Sequence, residues 1–124
     1  MKKKILIVED EESLRMALAD KLISQGYETV RAKNGKEGLE IAFNQKPDLI
    51  LLDIVMPVMD GITMLYKLRD DERGKSIPVM LLTNLSDPNA IADGVEERAD
   101  GYFVKSDWKL HDIMEVIDKR LKNA

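Results

Sequence analysis

Five side chains have the right types to act together: Glu9, Asp10, Asp53, Thr83 and Lys105. Each follows a short aliphatic or aromatic run. Glu9 and Asp10 come after Ile5-Leu6-Ile7-Val8, and Asp53 after Leu49-Ile50-Leu51-Leu52. Thr83 comes after Pro78 to Leu82, and Lys105 after Tyr102-Phe103-Val104. Two carboxylates about 4 Å apart repel by roughly 4 kcal/mol at an effective dielectric of 20. Three acids brought to one place must therefore give up charge or hold a cation, and Lys105 supplies a single positive charge. A hard divalent ion meets that need. Mg²⁺ characteristically combines one or two carboxylates with waters and a phosphate oxygen. Asp53 can then act as a nucleophile, since carboxylates form aspartyl phosphates. Lys105 and the metal would neutralise the oxygens of the transferring group, and Thr83 would hydrogen-bond one of them. Each residue taken singly has a plainer reading: an acid pair at a helix N-terminus, a turn aspartate, a loop hydroxyl, a surface lysine. Those plainer readings weaken together, because all four positions fall at the same kind of place in the pattern.

That place is the end of a strand. Ile5 to Val8 and Leu49 to Leu52 are unbroken apolar runs, as expected of strands buried on both faces. Glu28 to Ala32, Pro78 to Leu82 and Tyr102 to Val104 read as three more. Between them lie amphipathic stretches. Leu14, Ala17, Leu18 and Leu22 recur at helical spacing before Gly26. Asn34-Gly35 marks a turn, and Gly38 to Phe43 suggest a short helix closed by Pro47. Met56-Pro57 breaks the chain, and Asp60-Gly61 precedes a helix with Met64, Leu65 and Leu68 inside. Asp87-Pro88 starts a weakly apolar helix over about 88–97. Leu110, Ile113, Met114, Ile117 and Leu121 stripe the last one. Five strands alternating with five helices predict an α/β fold, with a doubly wound parallel sheet covered on both faces. In such a sheet the carboxyl ends of the strands form the ligand edge. The five residues should converge there.

Composition narrows the function further. The 124 residues suit one domain spanning 1–124. The absence of cysteine excludes disulfides and thiol catalysis. A net charge of −4 disfavours direct nucleic-acid binding by this chain. The Lys2-Lys3-Lys4 run is followed by only four apolar residues before Glu9. That is too short for a signal-peptide core or a membrane span, and the chain is expected to be cytoplasmic with no membrane partner. His111 falls on the polar side of the last helix and is expected to be solvated.

These positions resemble the receiver domain of two-component response regulators. The matching stretches are Ile5 to Glu12, Pro47 to Asp53, Met56-Pro57 with Met59-Asp60-Gly61, Pro78 to Thr83, and Ala99 to Lys105. They occur in the family's order along the whole chain. The resemblance implies a flavodoxin-like strand order 2-1-3-4-5, an arrangement for which a receiver is itself a standard example. It implies a signalling switch rather than an enzyme, one that assists its own phosphorylation and dephosphorylation. Asp53 would be the phosphoacceptor. Asp10 would bind Mg²⁺, with Mn²⁺ as a substitute, and Glu9 would bind it directly or through water. Val55 would offer its backbone carbonyl to the metal. Thr83 and Lys105 would contact the phosphoryl group, and Thr83 and Tyr102 would form the switch. The implied partners are a sensor histidine kinase or phosphotransfer protein upstream, and a protein target or separate output domain downstream.

The chain departs from the usual pattern at Asn84, normally small, and at Ser106, normally proline. Val55 and Leu85 are apolar where polar residues are common. None of these removes a reactive group. A trans peptide is expected after Lys105, because a non-proline cis bond costs about 3 kcal/mol. A pseudo-receiver would lack the acceptor, the metal acid or the lysine, and all three are present. A phosphatase of the haloacid dehalogenase type needs a second acid where Val55 stands. A flavin carrier needs a hydroxyl- and glycine-rich loop where Glu9 to Glu12 would repel phosphate.

Overall fold

The alternating runs do fold as strands and helices. A computed structural model describes residues 2–83, 98–104 and 109–122, with Thr83 and Val104 described by their backbone. The strands are β1 (Lys4–Val8), β2 (Glu28–Ala32), β3 (Leu49–Asp53), β4 (Val79–Thr83) and β5 (Gly101–Val104). The described helices are α1 (Glu12–Ser24), α2 (Gly35–Gln45), α3 (Gly61–Arg69) and α4 (Leu110–Lys122). The helix expected over 88–97 lies outside the described residues.

All four strand pairings are parallel, and the sheet order is β2-β1-β3-β4-β5. Parallel strands need crossovers, and here the crossovers carry helices to both faces. Ile5, Ile7, Leu49, Leu51, Met80, Leu82 and Phe103 face one layer, which holds Leu18 and Leu22 of α1 and Ile113, Ile117 and Leu121 of α4. Leu6, Val8, Ile50, Leu52, Val79 and Leu81 face the other, with Ala42 of α2 and Met64, Leu65 and Leu68 of α3. Every β3 residue is buried. This two-sided burial is why β1 and β3 read as unbroken apolar runs, while the edge strand β2 carries polar Glu28, Thr29 and Arg31.

Three local details differ from the sequence expectation. Asn34 does not make a free turn; its Oδ1 accepts the Glu37 N–H at 2.9 Å and caps α2, so Gly35 is already helical. Strand β4 runs from Val79 to Thr83 rather than from Pro78, which has no N–H to give to a ladder. Gly101 joins β5 ahead of Tyr102. Asp60 caps α3 by accepting the Thr63 N–H at 2.8 Å.

Candidate functional site

The chain leaves β1 toward β2 on one side and later returns to β3 on the other. The sheet therefore changes direction between β1 and β3, and their carboxyl ends open a crevice. Val8 pairs with Leu52, so the next residues on the two strands, Glu9 and Asp53, lie side by side. Asp53 pairs with Leu82, and Thr83 with Val104, which brings the ends of β4 and β5 to the same edge.

Three of the sequence-predicted residues meet closely. Carboxylate oxygens of Glu9, Asp10 and Asp53 all lie within 4.8 Å of one another. Glu9 is 0% exposed and Asp53 4%, whereas Asp10 is exposed. The Glu11 N–H points at Oε2 of Glu9 at 3.4 Å, and the Glu9 N–H donates to the Ala32 carbonyl at 3.1 Å. The donor set is all oxygen, with no histidine or cysteine, and matches a hard divalent cation such as Mg²⁺ or Mn²⁺ better than a soft one.

The loop after Asp53 folds back against the end of β3. The Ile54 N–H continues the ladder to the Leu82 carbonyl at 3.1 Å. The Gly61 N–H donates to the Ile54 carbonyl at 2.8 Å, folding the loop back on itself. A Cβ on Gly61 would sit 2.0 Å from the Asp53 carbonyl oxygen, so only glycine allows this return. Val55 lies in the folded loop with its side chain 64% exposed.

Tyr102 is 41% exposed on β5, opposite Leu81. The side chains of Thr83 and Lys105, the residues Asn84, Leu85 and Ser106, and the peptide after Lys105 lie outside the described residues. His111 is exposed and faces Glu115 at 3.3 Å.

The structure also recruits residues the sequence reading passed over. Arg15, in α1, donates from Nη1 to the Glu9 carbonyl at 2.8 Å and to the Asp10 carbonyl at 3.4 Å. It clamps the main chain that carries two of the acids. Its spacing five residues after Asp10 was the available signal, hidden in an ordinary amphipathic pattern. Gly35, read as part of a turn, and Gly61, read only as preceding a helix, are the others.

Comparison with known proteins agrees with this geometry. The family model described as "Response regulator receiver domain" matches residues 5–118. The chain belongs to that family. A probable transcriptional regulator, ycf27 of Porphyridium aerugineum, is 34% identical over 98% of this receiver and 52% of its own length. The alkaline phosphatase synthesis transcriptional regulatory protein PhoP of Bacillus subtilis is 39% identical over 85% of the receiver and 43% of its own length. The chain thus spans about half the length of the curated relatives it matches. Among solved structures, chemotaxis response regulator CheY4 of Vibrio cholerae superposes with a TM-score of 0.88, at 29% identity, over 98% of this receiver and 100% of that chain. TrrA of Thermotoga maritima, solved in complex with Mg(2+)-BeF, gives 0.84 at 35% identity, over 96% and 99% of the two chains. Within the described residues, no helix is long and apolar enough to cross a membrane.

Proposed function

We propose that this receiver accepts a phosphoryl group on Asp53, in a pocket where Glu9 and Asp10 hold a divalent cation, and that it thereby switches a protein-interaction surface. The observation that carries this reading is the meeting of three carboxylates, two of them buried, at the sheet's change of direction. Carboxylates this close repel one another, and a divalent cation offsets that repulsion. A fold keeps such a cluster where a cation and a phosphoryl group use it.

An Asp53 carboxylate oxygen attacks the phosphorus of a phosphohistidine on a sensor histidine kinase or phosphotransfer protein. A P–O bond forms, the P–N bond breaks, and the histidine leaves as neutral imidazole, its other ring nitrogen already carrying the proton. Glu9, Asp10, Asp53 and the Val55 main-chain carbonyl provide the oxygen donors for Mg²⁺, or for Mn²⁺ in its place. When bound, such an ion would supply positive charge to offset that of the transferring phosphoryl group. The Thr83 hydroxyl donates to one phosphoryl oxygen, and the Lys105 ammonium pairs with another. Water attack at the phosphorus of the phosphoaspartate breaks its P–O bond to the carboxylate, releases inorganic phosphate and regenerates Asp53, so the domain assists its own phosphorylation and dephosphorylation and acts as a switch rather than as an enzyme on a separate substrate. Movement of Thr83 toward the phosphoryl group makes room for Tyr102 to turn inward and changes the exposed face at β5. The reading treats residues 1–124 as one domain acting in the cytoplasm. It sends the signal to a protein target or a separate output domain, with transcriptional control as the kind of output its relatives suggest.

The test is amide chemical-shift mapping with Mg²⁺, then with Mg²⁺ and beryllofluoride. Mg²⁺ should move the amides of Glu9, Asp10, Asp53 and Val55, and beryllofluoride should extend the changes to Thr83, Tyr102 and Lys105. Shifts scattered over exposed acids elsewhere would overturn the site.

A further inference from the structure

We propose that Gly35, the first residue of α2, is a positioning residue for the cation pocket, because it latches the loop that carries the Val55 carbonyl. The proposal rests on reading the acid cluster as a divalent-cation site.

The loop from Ile54 to Asp60 is fixed at its two ends, by the Ile54 N–H on Leu82 and the Gly61 N–H on Ile54. Side-chain packing holds its middle at Met56, which is 8% exposed in the core, and at Met59, which packs against that core, but not at Val55, 64% exposed, or Val58, 77%. Yet that middle is strained. Val58 has φ +68, a left-handed conformation that a β-branched residue rarely adopts. The Met59 N–H donates to the Pro57 carbonyl at 2.8 Å, closing a three-residue turn around Val58. Such strain persists only where the surroundings over-determine it. Among the described main-chain hydrogen bonds outside the helices and strands, one ties the middle of this loop to another element. The Gly35 N–H donates to the Met59 carbonyl at 2.9 Å.

Gly35 is not glycine for conformational reasons, since positive φ among the described glycines is confined to Gly26. It costs helix propensity where alanine would do better. The reason is space. A Cβ at Gly35 would sit 2.5 Å from the Met59 carbonyl oxygen and 3.1 Å from that of Asp60. Both are main-chain atoms, so the cost could be relieved only by moving backbone. The start of α2 is held by the Asn34 cap, and Gly38 is packed against Val8 and Met64. The loop is therefore the part that yields. Pushing Met59 away displaces the same short loop that presents Val55.

Gly35→Ala should keep the fold and weaken Mg²⁺ binding about tenfold, the lower end of what supporting groups around a metal usually contribute. Calorimetric titration with Mg²⁺ reads the affinity, and circular dichroism and the melting temperature read the fold. A second measurement needs no variant. Coupling is reciprocal, so saturating Mg²⁺ should slow hydrogen exchange at the wild-type Gly35 amide. Equal affinity in the variant, or Gly35 exchange unchanged by Mg²⁺ while the Asp10 and Asp53 amides respond, would overturn the latch and leave the cation site standing. A wild-type protein that binds no Mg²⁺ at Glu9, Asp10 and Asp53 would overturn both.

Discussion

Asp53 is 4% exposed at the end of a strand whose other four residues are fully buried aliphatics, with Glu9 and Asp10 within 4.8 Å. Like charges this close repel one another, by roughly 4 kcal/mol for a pair about 4 Å apart at an effective dielectric of 20. Asp53→Asn removes one of the three charges and keeps the shape. In chelator the variant should be more stable than wild type by about 1 kcal/mol or more, the usual sign of a site kept for function. Saturating Mg²⁺ should close the gap by stabilising the wild type selectively. Urea melts under the two conditions read this directly. The acids were legible because each stands where an apolar run ends, and charge at the end of a buried strand is conspicuous. Arg15 was not, since it acts through main-chain carbonyls and leaves no mark in residue type. The Val55 carbonyl was reached through family resemblance, because any residue supplies a carbonyl.

At the level of elements, each part of the site depends on how a helix is joined to the sheet. Gly61 opens α3 with its Cα against the Asp53 carbonyl, where a Cβ would approach to 2.0 Å. Gly61→Ala should cost about 1–3 kcal/mol through overpacking and perturb the amides of Asp53 and Ile54, as thermal melts and shift mapping would show. Arg69 at the end of α3 stitches that helix to the base of β4. It donates to the Gly74 carbonyl at 2.8 Å and the Ile77 carbonyl at 2.7 Å, and lies 3.5 Å from Asp100. On the opposite face, Tyr27 precedes β2, is 4% exposed and donates its hydroxyl to Asp118 of α4. Burial first, and the Asp118 carboxylate second, raise its pKa well above the ordinary phenol value. The neutral phenol is thus favoured in the fold. Its contribution to stability is complete below the unfolded-state pKa of about 10, and is lost as pH rises from there toward the higher folded value. Tyr27→Phe should lose about 1 kcal/mol at neutral pH and show a shallower alkaline decline in denaturant melts.

For the molecule as a whole, the architecture was legible because two periodicities alternate along it. Apolar runs of four or five residues give buried strands, and stripes at helical spacing give the helices that cover them. The positions of Leu18 and Leu22, of Met64, Leu65 and Leu68, and of Ile113, Ile117 and Leu121 in the two layers follow from that pattern. Strand order did not follow, because alternation permits several windings; it came from the resemblance, and the observed β2-β1-β3-β4-β5 agrees with it. Asn34-Gly35 was misread because a capping asparagine and a turn asparagine look alike without knowing which atoms lie opposite. Among the described residues the acids gather at one end of the sheet, and the central proposal is that Asp53 receives a phosphoryl group there. Incubation with a small acyl phosphate followed by intact-mass measurement tests this most directly. The wild type should gain the mass of one phosphoryl group with Mg²⁺ and none in chelator, and Asp53→Asn should gain none under either condition. Equal labelling of wild type and variant, or labelling that survives full chelation, would contradict the account.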